Sequence, residues 1–335
     1  MAQRLLKIVL PENRGGEALD ILVEQGMTDF WQEESLSAHH VVSVLIDAGQ
    51  SQMLMDRFEK AYGRLDGFKL VLIPVEAAIP RSEPPAEPST GEIEPAPPVD
   101  LTRIGREELY ADIVDSTRLS GVYLATVVLS TLVAAIGLLT DNVAVIIGAM
   151  VIAPFLGPNV ALALSTCLAD YDLGRNGLKT LVAGVAVAFG LAVVLGIVLD
   201  VDPTAGEIAA RTRASMSDIV LALASGSAGV LAFTTGVSGT LIGVMVAVAL
   251  LPPLTVAGLL LGSGHLHSSF FAFLLFLTNI ICINLAGIVT FLIRGVSPRT
   301  WWEADKAKKS TRRALITWSV TLGLLTAVIL LWRAD

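Results

Sequence analysis

From Ile219 to Ile293 the chain carries no Asp, Glu, Lys or Arg, and this run constrains the fold more than any other feature. Four further charge-free runs accompany it: Leu119–Thr140, Asn142–Ala169, Thr180–Leu199 and Ala314–Trp332. Crossing about 30 Å of hydrocarbon takes roughly 20 apolar residues per helix. A soluble core cannot hide this much apolar chain, because buried helices of globular domains average about 10–14 residues and are punctuated by charge. Charged residues make up 16% of the chain, against about 25% in ordinary soluble domains. The pattern predicts a polytopic α-helical membrane protein.

Seven apolar segments are expected to span: 119–139, 143–165, 178–199, 219–234, 237–261, 270–293 and 314–331. The fourth is short and holds Ser225, Gly226, Ser227 and Gly229. Basic residues favour the cytoplasmic side of a span. Arg294, Arg299, Lys306, Lys308, Lys309, Arg312 and Arg313 crowd the segment before the last span, which is read as a basic loop over 294–313. Arg103, Arg106 and Arg118 precede the first span, and Arg175 and Lys179 lie between the second and third. Seven passes put these clusters on one side, with 200–218 as an outer loop. The expected location is the cell (inner or plasma) membrane, with the N-terminal region cytoplasmic.

That region is charged and mixed, so no signal peptide is expected. Residues 5–10, 27–35, 41–46 and 68–75 read as strands, while 17–24 and 53–62 have helical spacing. The order β-α-β-β-α-β predicts a ferredoxin-like α+β domain over 1–80. Prolines 80, 84, 85, 88, 95, 97 and 98 predict an extended linker over 81–101. Ile104, Leu109, Ile113 and Val114 against Arg103, Arg106, Glu107, Glu108, Asp112 and Asp115 predict an amphipathic interfacial helix over 102–118, or a plain extension of the first span.

The net charge of −8 argues against nucleic acid as a partner. Cys167 and Cys282 read as small core residues, and no metal-ligand spacing or cofactor motif is evident. His39 and His40, adjacent on a strand, point to opposite faces, which is poor geometry for one metal. No Ser-His-Asp set or intramembrane carboxylate pair suggests an enzyme.

Two stretches resemble each other: Ile147-Gly148-Ala149-Met150-Val151, leading to Pro154 and Pro158, and Ile242-Gly243-Val244-Met245-Val246, leading to Pro252 and Pro253. Each falls in the middle span of a three-span unit, 119–199 or 219–293. Two odd-numbered units in series have opposite orientations, as in many secondary transporters. Proline removes a backbone donor and clashes with the preceding turn, so both spans are expected to kink or open. Freed peptide groups inside a bilayer need partners, which a solute, ion or water can supply. The alternative is that these prolines, with Gly148, Gly157 and Gly243, only shape packing.

The candidate solute- or ion-binding residues are Asp141, Asn142, Pro154, Gly157, Pro158, Asn159, Pro252, Pro253 and Asn279. Asp141 is equally readable as a helix cap. Asn279 and Asn284 lie roughly 140° apart around a helix and need not share a site. Interior carboxylates are absent from the spans, which disfavours a proton relay. Small-residue positions Gly184, Gly190 and Gly196 suit a homo-oligomer. The first functional expectation is therefore a transporter or channel for a small solute or ion. The second is a membrane-anchored sensor or scaffold whose cytoplasmic domain binds a metabolite or partner.

Residues Arg106–Tyr110, Asp141–Asn159, Val246–Gly258 and Asn279–Gly287 are similar to the family of bacterial and archaeal membrane proteins called domain of unknown function 389. The resemblance implies a hydrophobic multi-span domain over about residues 100–295 and names no substrate.

Overall fold

Burial alternates residue by residue along the first strand. Odd and even side chains of a strand face opposite sides, so Leu6, Ile8 and Leu10 of β1 (Gln3–Pro11) are buried while Leu5, Lys7 and Val9 lie on the other face. A computed structural model describes residues 3–11, 15–33, 39–75, 105–213, 215–235, 240–296 and 301–333, and the linker expected over 81–101 lies outside them. The chain divides into two compact units, Met1–Leu109 and Tyr110–Asp335.

In the first unit, β1 is followed by α1 (Gly15–Glu24), β2 (Phe30–Glu33), β3 (His39–Asp47), α2 (Ala48–Tyr62) and β4 (Lys69–Val75). The sheet order is β2-β3-β1-β4, and every pairing is antiparallel. This is the connectivity the ferredoxin-like expectation requires. Leu6, Ile8, Val42, Val44 and Ile46 of the sheet close against Leu22 of α1 and Leu54 and Phe58 of α2. Each such side chain, fully buried, stabilises the domain by about 1.5–3 kcal/mol. On the opposite sheet face Lys7 Nζ donates to Glu33 Oε1 at 2.7 Å, and Ser43 Oγ donates to the same oxygen at 2.7 Å. These bonds hold the Glu33 carboxyl below its ordinary range. The first turn of α3 (Arg106–Ser116) joins this unit: Arg4 Nη2 donates to Glu108 Oε1 at 2.7 Å, and Gln52 Oε1 accepts from the Arg106 amide at 2.6 Å. His40 is exposed on β3.

The second unit takes up α3 from Tyr110 and continues with α4 (Gly121–Leu139), α5 (Val143–Ile152), α6 (Leu156–Leu168), α7 (Tyr171–Val198), α8 (Gly206–Ala210), α9 (Met216–Thr235), α10 (Thr240–Gly262), α11 (Leu266–Ile293) and α12 (Trp301–Arg333). Among the described residues, α4, α7, α9 and α11 are long and apolar enough to cross a membrane, and α5 with α6 makes a fifth if the bent pair is one span. Leu129 and Ile136 of α4 and Val182, Val194 and Ile197 of α7 are exposed, while Ser130, Thr131 and Thr180 are buried. Large apolar side chains outside and hydroxyls inside is the distribution expected when the solvent is hydrocarbon. Buried hydroxyls close on nearby carbonyls, as Thr131 Oγ1 does on Val127 O at 2.7 Å.

Helix directions follow from contacting pairs. Gly177 of α7 lies on Pro158 and Ala161 of α6, and Gly174 on Ser165, so these neighbours are antiparallel. Gly258 of α10 meets Phe189 and Ala192 of α7, and Gly262 meets Val193 and Ile197, so those two are parallel. In α11, Ser269 bonds Ala257 and Asn279 bonds Ala249, an antiparallel pairing with α10. Asn284 and Gly287 meet Asn159 and Ala163 of α6 in parallel, and Gly226 and Val230 of α9 meet Ile283 and Gly287 in parallel.

Two expectations about elements are corrected here. The basic segment 294–313 is not all loop, because α12 begins at Trp301 and runs through Lys308, Lys309, Arg312 and Arg313 into the apolar stretch. Ala, Lys, Glu and Arg are strong helix formers, and a charged helix extends into water as readily as a loop does. The segment 237–261, expected to kink or open at its prolines, does not open there: within it α10 runs unbroken from Thr240, with Pro252 and Pro253 inside the helix. Of the small-residue positions, Gly184 packs on Tyr123 and Phe155 and Gly196 on Leu259, both within the chain. Cys167 and Cys282 are buried and free, as a core role requires.

Gly196→Ala is expected to destabilise the bundle, because a Cβ there strikes the backbone oxygen of Leu259. Overpacking of this kind costs about 1–3 kcal/mol. Gly190, with open space at its Cβ position, should accept alanine without loss. Thermal unfolding of the two purified variants in detergent compares them directly, and equal stability would refute the packing argument.

Candidate functional site

The sharpest interruption in the apolar bundle lies between α5 and α6, which are bent by 54° across Ala153–Phe155. Residues before proline avoid the α region, and Ala153 is extended, with φ −67° and ψ 121°. Pro154 cannot donate to Met150 O, so α5 ends there. Pro158 falls in the first turn of α6, where a missing N–H costs little. The two prolines therefore terminate one helix and start the next. Together α5 and α6 hold 10 and 13 residues, roughly 34 Å of helix at about 1.5 Å per residue.

A chain of buried amides surrounds this break. Asn159 is 1% exposed, and its Nδ2 donates to Phe155 O, at the break itself, at 2.8 Å. Asn284 of α11, also 1% exposed, donates from Nδ2 to Asn159 Oδ1 at 3.1 Å and to Ile280 O at 3.0 Å. Asn279, 5% exposed, donates from Nδ2 to Ala249 O of α10 at 2.7 Å. Ala249 is four residues before Pro253, so its carbonyl is the one that Pro253 deprives of a helical donor. Asn279 replaces the donor that Pro253 removes, which helps α10 pass through its prolines as a helix. Asn279 Oδ1 is buried with no donor reaching it among the described residues.

The candidate residues divide accordingly. Pro154, Pro158 and Asn159 sit at the break, and Pro252, Pro253 and Asn279 at the matching level of α10 and α11. Gly157 is buried against Ser116 of α3, where a Cβ would lie 2.5 Å from the Ser116 Oγ, so it serves close packing. Asp141 and Asn142 are exposed in the turn between α4 and α5 and belong to helix ends. Asn142 Oδ1 accepts from Val145 N at 3.2 Å and caps α5. Asp141, with φ 52°, accepts from Glu207 N at 2.7 Å and caps α8. The cap reading holds for Asp141, on a helix far along the chain rather than the adjacent one. Asn284, noticed in the sequence but not placed in the site, is its second inter-helix bond. The carbonyls of Phe155 and Ala249 also belong to the cluster, and the rule that proline at i strips the carbonyl at i−4 points to Ala249 from sequence alone.

Two neighbouring features lie outside the cluster. A cavity of about 470 Å³ opens beside α7 and α11, lined by apolar residues including Val182, Phe189, Leu261 and Phe273, and shares no residue with the amides. At the α3–α7 contact Tyr110 Oη donates to Asp170 Oδ2 at 2.7 Å, while Asp170 Oδ1 caps α7 at Asp172 N and Leu173 N. That bond to a carboxylate, aided by burial, pushes the phenol up to about 12.

Comparison with known proteins agrees with the helical region as the defining part of the chain. Residues 150–285 match the family model described as Domain of unknown function (DUF389). This interval contains the break, both proline pairs and the three asparagines. An uncharacterized protein of Methanocaldococcus jannaschii is 37% identical over 292 residues, covering 87% of this chain and 88% of the relative. The chain belongs to the DUF389 family. No solved structure matches it. For this DUF389 protein the family assignment supports a membrane-embedded domain and leaves the chemistry to be argued from the amide cluster.

Two measurements follow. A double-mutant cycle of Asn159→Ala and Asn284→Ala in detergent should show a coupling of about 0.6 kcal/mol, and up to ~1.7, the range for inter-helix hydrogen bonds in membranes; strict additivity would mean that the amides do not interact. For Tyr110, the raised folded pKa means its bond stabilises fully below the unfolded value of about 10 and is lost as pH rises through about 12. Wild type should therefore lose stability between those values, and Tyr110→Phe should be flatter there; parallel profiles would contradict the assignment.

Proposed function

We propose that this DUF389 protein is a transporter or channel for a small solute or ion in the cell membrane, working at the α5–α6 break. The observation that carries the proposal is a helix interrupted deep in an apolar bundle, with buried amides rather than lipid-facing carbon around the interruption. Interrupted helices are tolerated in hydrocarbon where they are buried in protein or line a polar path. The helix directions support an inverted pair of three-helix units. α4, α5–α6 and α7 form one, and α9, α10 and α11 form the other, with α10 and α11 running opposite to their counterparts. With α12 this makes seven spans, a cytoplasmic N-terminal domain and a cytoplasmic start to α12.

The copies differ in shape, since only the first is broken, and this asymmetry suggests which half moves. α10 is locked by Asn279 and by glycine contacts to α7, so α5–α6 is the element free to pivot at Ala153–Phe155. The described arrangement is closed, and passage requires the Asn159–Asn284 bond to part.

A second reading is favoured by the close packing of α7 on α10 at Gly196, Gly258 and Gly262, which suits a rigid anchor. Under it the ferredoxin-like domain binds a metabolite or partner and the bundle holds it at the membrane, as a homo-oligomer.

Stopped-flow osmotic assays of full-length protein in liposomes, with urea, glycerol, NaCl and KCl as probes, separate the readings. Transport predicts permeation of at least one probe above protein-free vesicles, reduced at least tenfold by Asn159→Leu and altered by Pro252→Ala while both variants remain folded. Vesicles tight to all four probes would favour the anchor.

A further inference from the structure

We infer that Asn279 Oδ1 is a ligand for a partly dehydrated monovalent cation, held on the side of the Asn159–Asn284 bond that faces the α5–α6 break; this rests on the transport reading and names the ion class at its site. The amide's orientation is fixed by chemistry. Its Nδ2 faces Ala249 O at 2.7 Å, and the opposite flip would set two oxygens against each other. Oδ1 is thereby committed as an acceptor, and among the described residues it is buried without a donor. A buried acceptor left unmatched is destabilising, so the position selects for a cation or a donor.

The depth of Asn279 is set by the helix pairing. α6 and α11 run parallel through Asn159–Asn284 and Ala163–Gly287. Asn279 precedes Asn284 by five residues, about 7.5 Å along the axis. Going back from Asn159, α6 ends at Leu156 and the chain bends at Ala153–Phe155, so Asn279 lies on the side of the Asn159–Asn284 bond that faces the break. There α5 ends, and its last carbonyls carry the negative end of the helix dipole. Met150 O loses its helical donor to Pro154. The polar groups assembled on this side are thus carbonyl and amide oxygens, and the charge-free run from Ile219 to Ile293 places no lysine or arginine on α9, α10 or α11 to compete. Unwound carbonyls and half-helix C-termini are the groups that hold alkali ions in broken-helix transporters.

The test uses full-length protein in lipid nanodiscs, with LiCl, NaCl or KCl exchanged against choline chloride at constant ionic strength. Wild type should show a saturable rise in unfolding temperature with at least one alkali ion. Asn279→Leu should remove that rise. Asn279→Gln, which keeps both the donor and the acceptor on a side chain one methylene longer, should shift the half-saturating concentration without abolishing the rise, and it serves as the reading if the leucine variant does not fold. The inference is overturned if no alkali ion differs from choline, or if neither Asn279 variant changes the response. Solute flux that is indifferent to alkali ions would remove this inference and leave transport standing. Saturable ion binding in vesicles tight to every probe would do the reverse.

Discussion

A peptide carbonyl deprived of its donor inside hydrocarbon is the constraint on which this bundle turns. Each proline creates one such carbonyl, and water is not there to cover it. The chain answers the problem in two ways. At Pro154 and Pro158 it gives up the helix, and the second proline falls where a first turn has no use for its N–H. At Pro252 and Pro253 it keeps the helix, and Asn279 lends its amide to Ala249 O, the carbonyl that Pro253 strips. The same residue type therefore breaks one helix and is absorbed by another, and an asparagine thirty positions away contributes to the difference.

This explains why the amides matter more than the prolines that drew attention to them. Asn159, Asn279 and Asn284 tie α6, α10 and α11 together at two successive levels of α11. An amide offers both donor and acceptor and keeps both at any physiological pH. A cluster built from amides is thus insensitive to pH and selective by geometry. Carboxylates in the same places would carry charge at a large desolvation cost.

Much of the fold was legible because hydrophobic periodicity and charge-free length are direct consequences of solvent. The short β-rich runs Leu5–Leu10 and Val41–Ile46 revealed the sheet, and the long charge-free runs revealed the apolar helices. What escaped were features decided by a distant partner. Pro252–Pro253 read as a break because the donor that rescues the helix lies on α11. Asp141 read as a site or the cap of its own neighbour, whereas its acceptor role is for Glu207 N. Gly157 read as a site residue, and the reason for a glycine there is Ser116 on α3. The basic residues before the last span read as loop because charge marks water, and an exposed helix is as wet as a loop. Asn279 and Asn284 were correctly separated by their angular offset: one turns to α10, the other to α6.

Close packing and the unmatched oxygen pull in opposite directions, and their coexistence is informative. The glycines of α7 and α10 bring backbones together so tightly that added methyl groups would collide with main chain. A bundle able to pack that well could have placed leucine at position 279 only by leaving Ala249 O bare. Keeping the amide satisfies the carbonyl and at once strands Oδ1, so the structural role and the unmatched acceptor arise from one side chain.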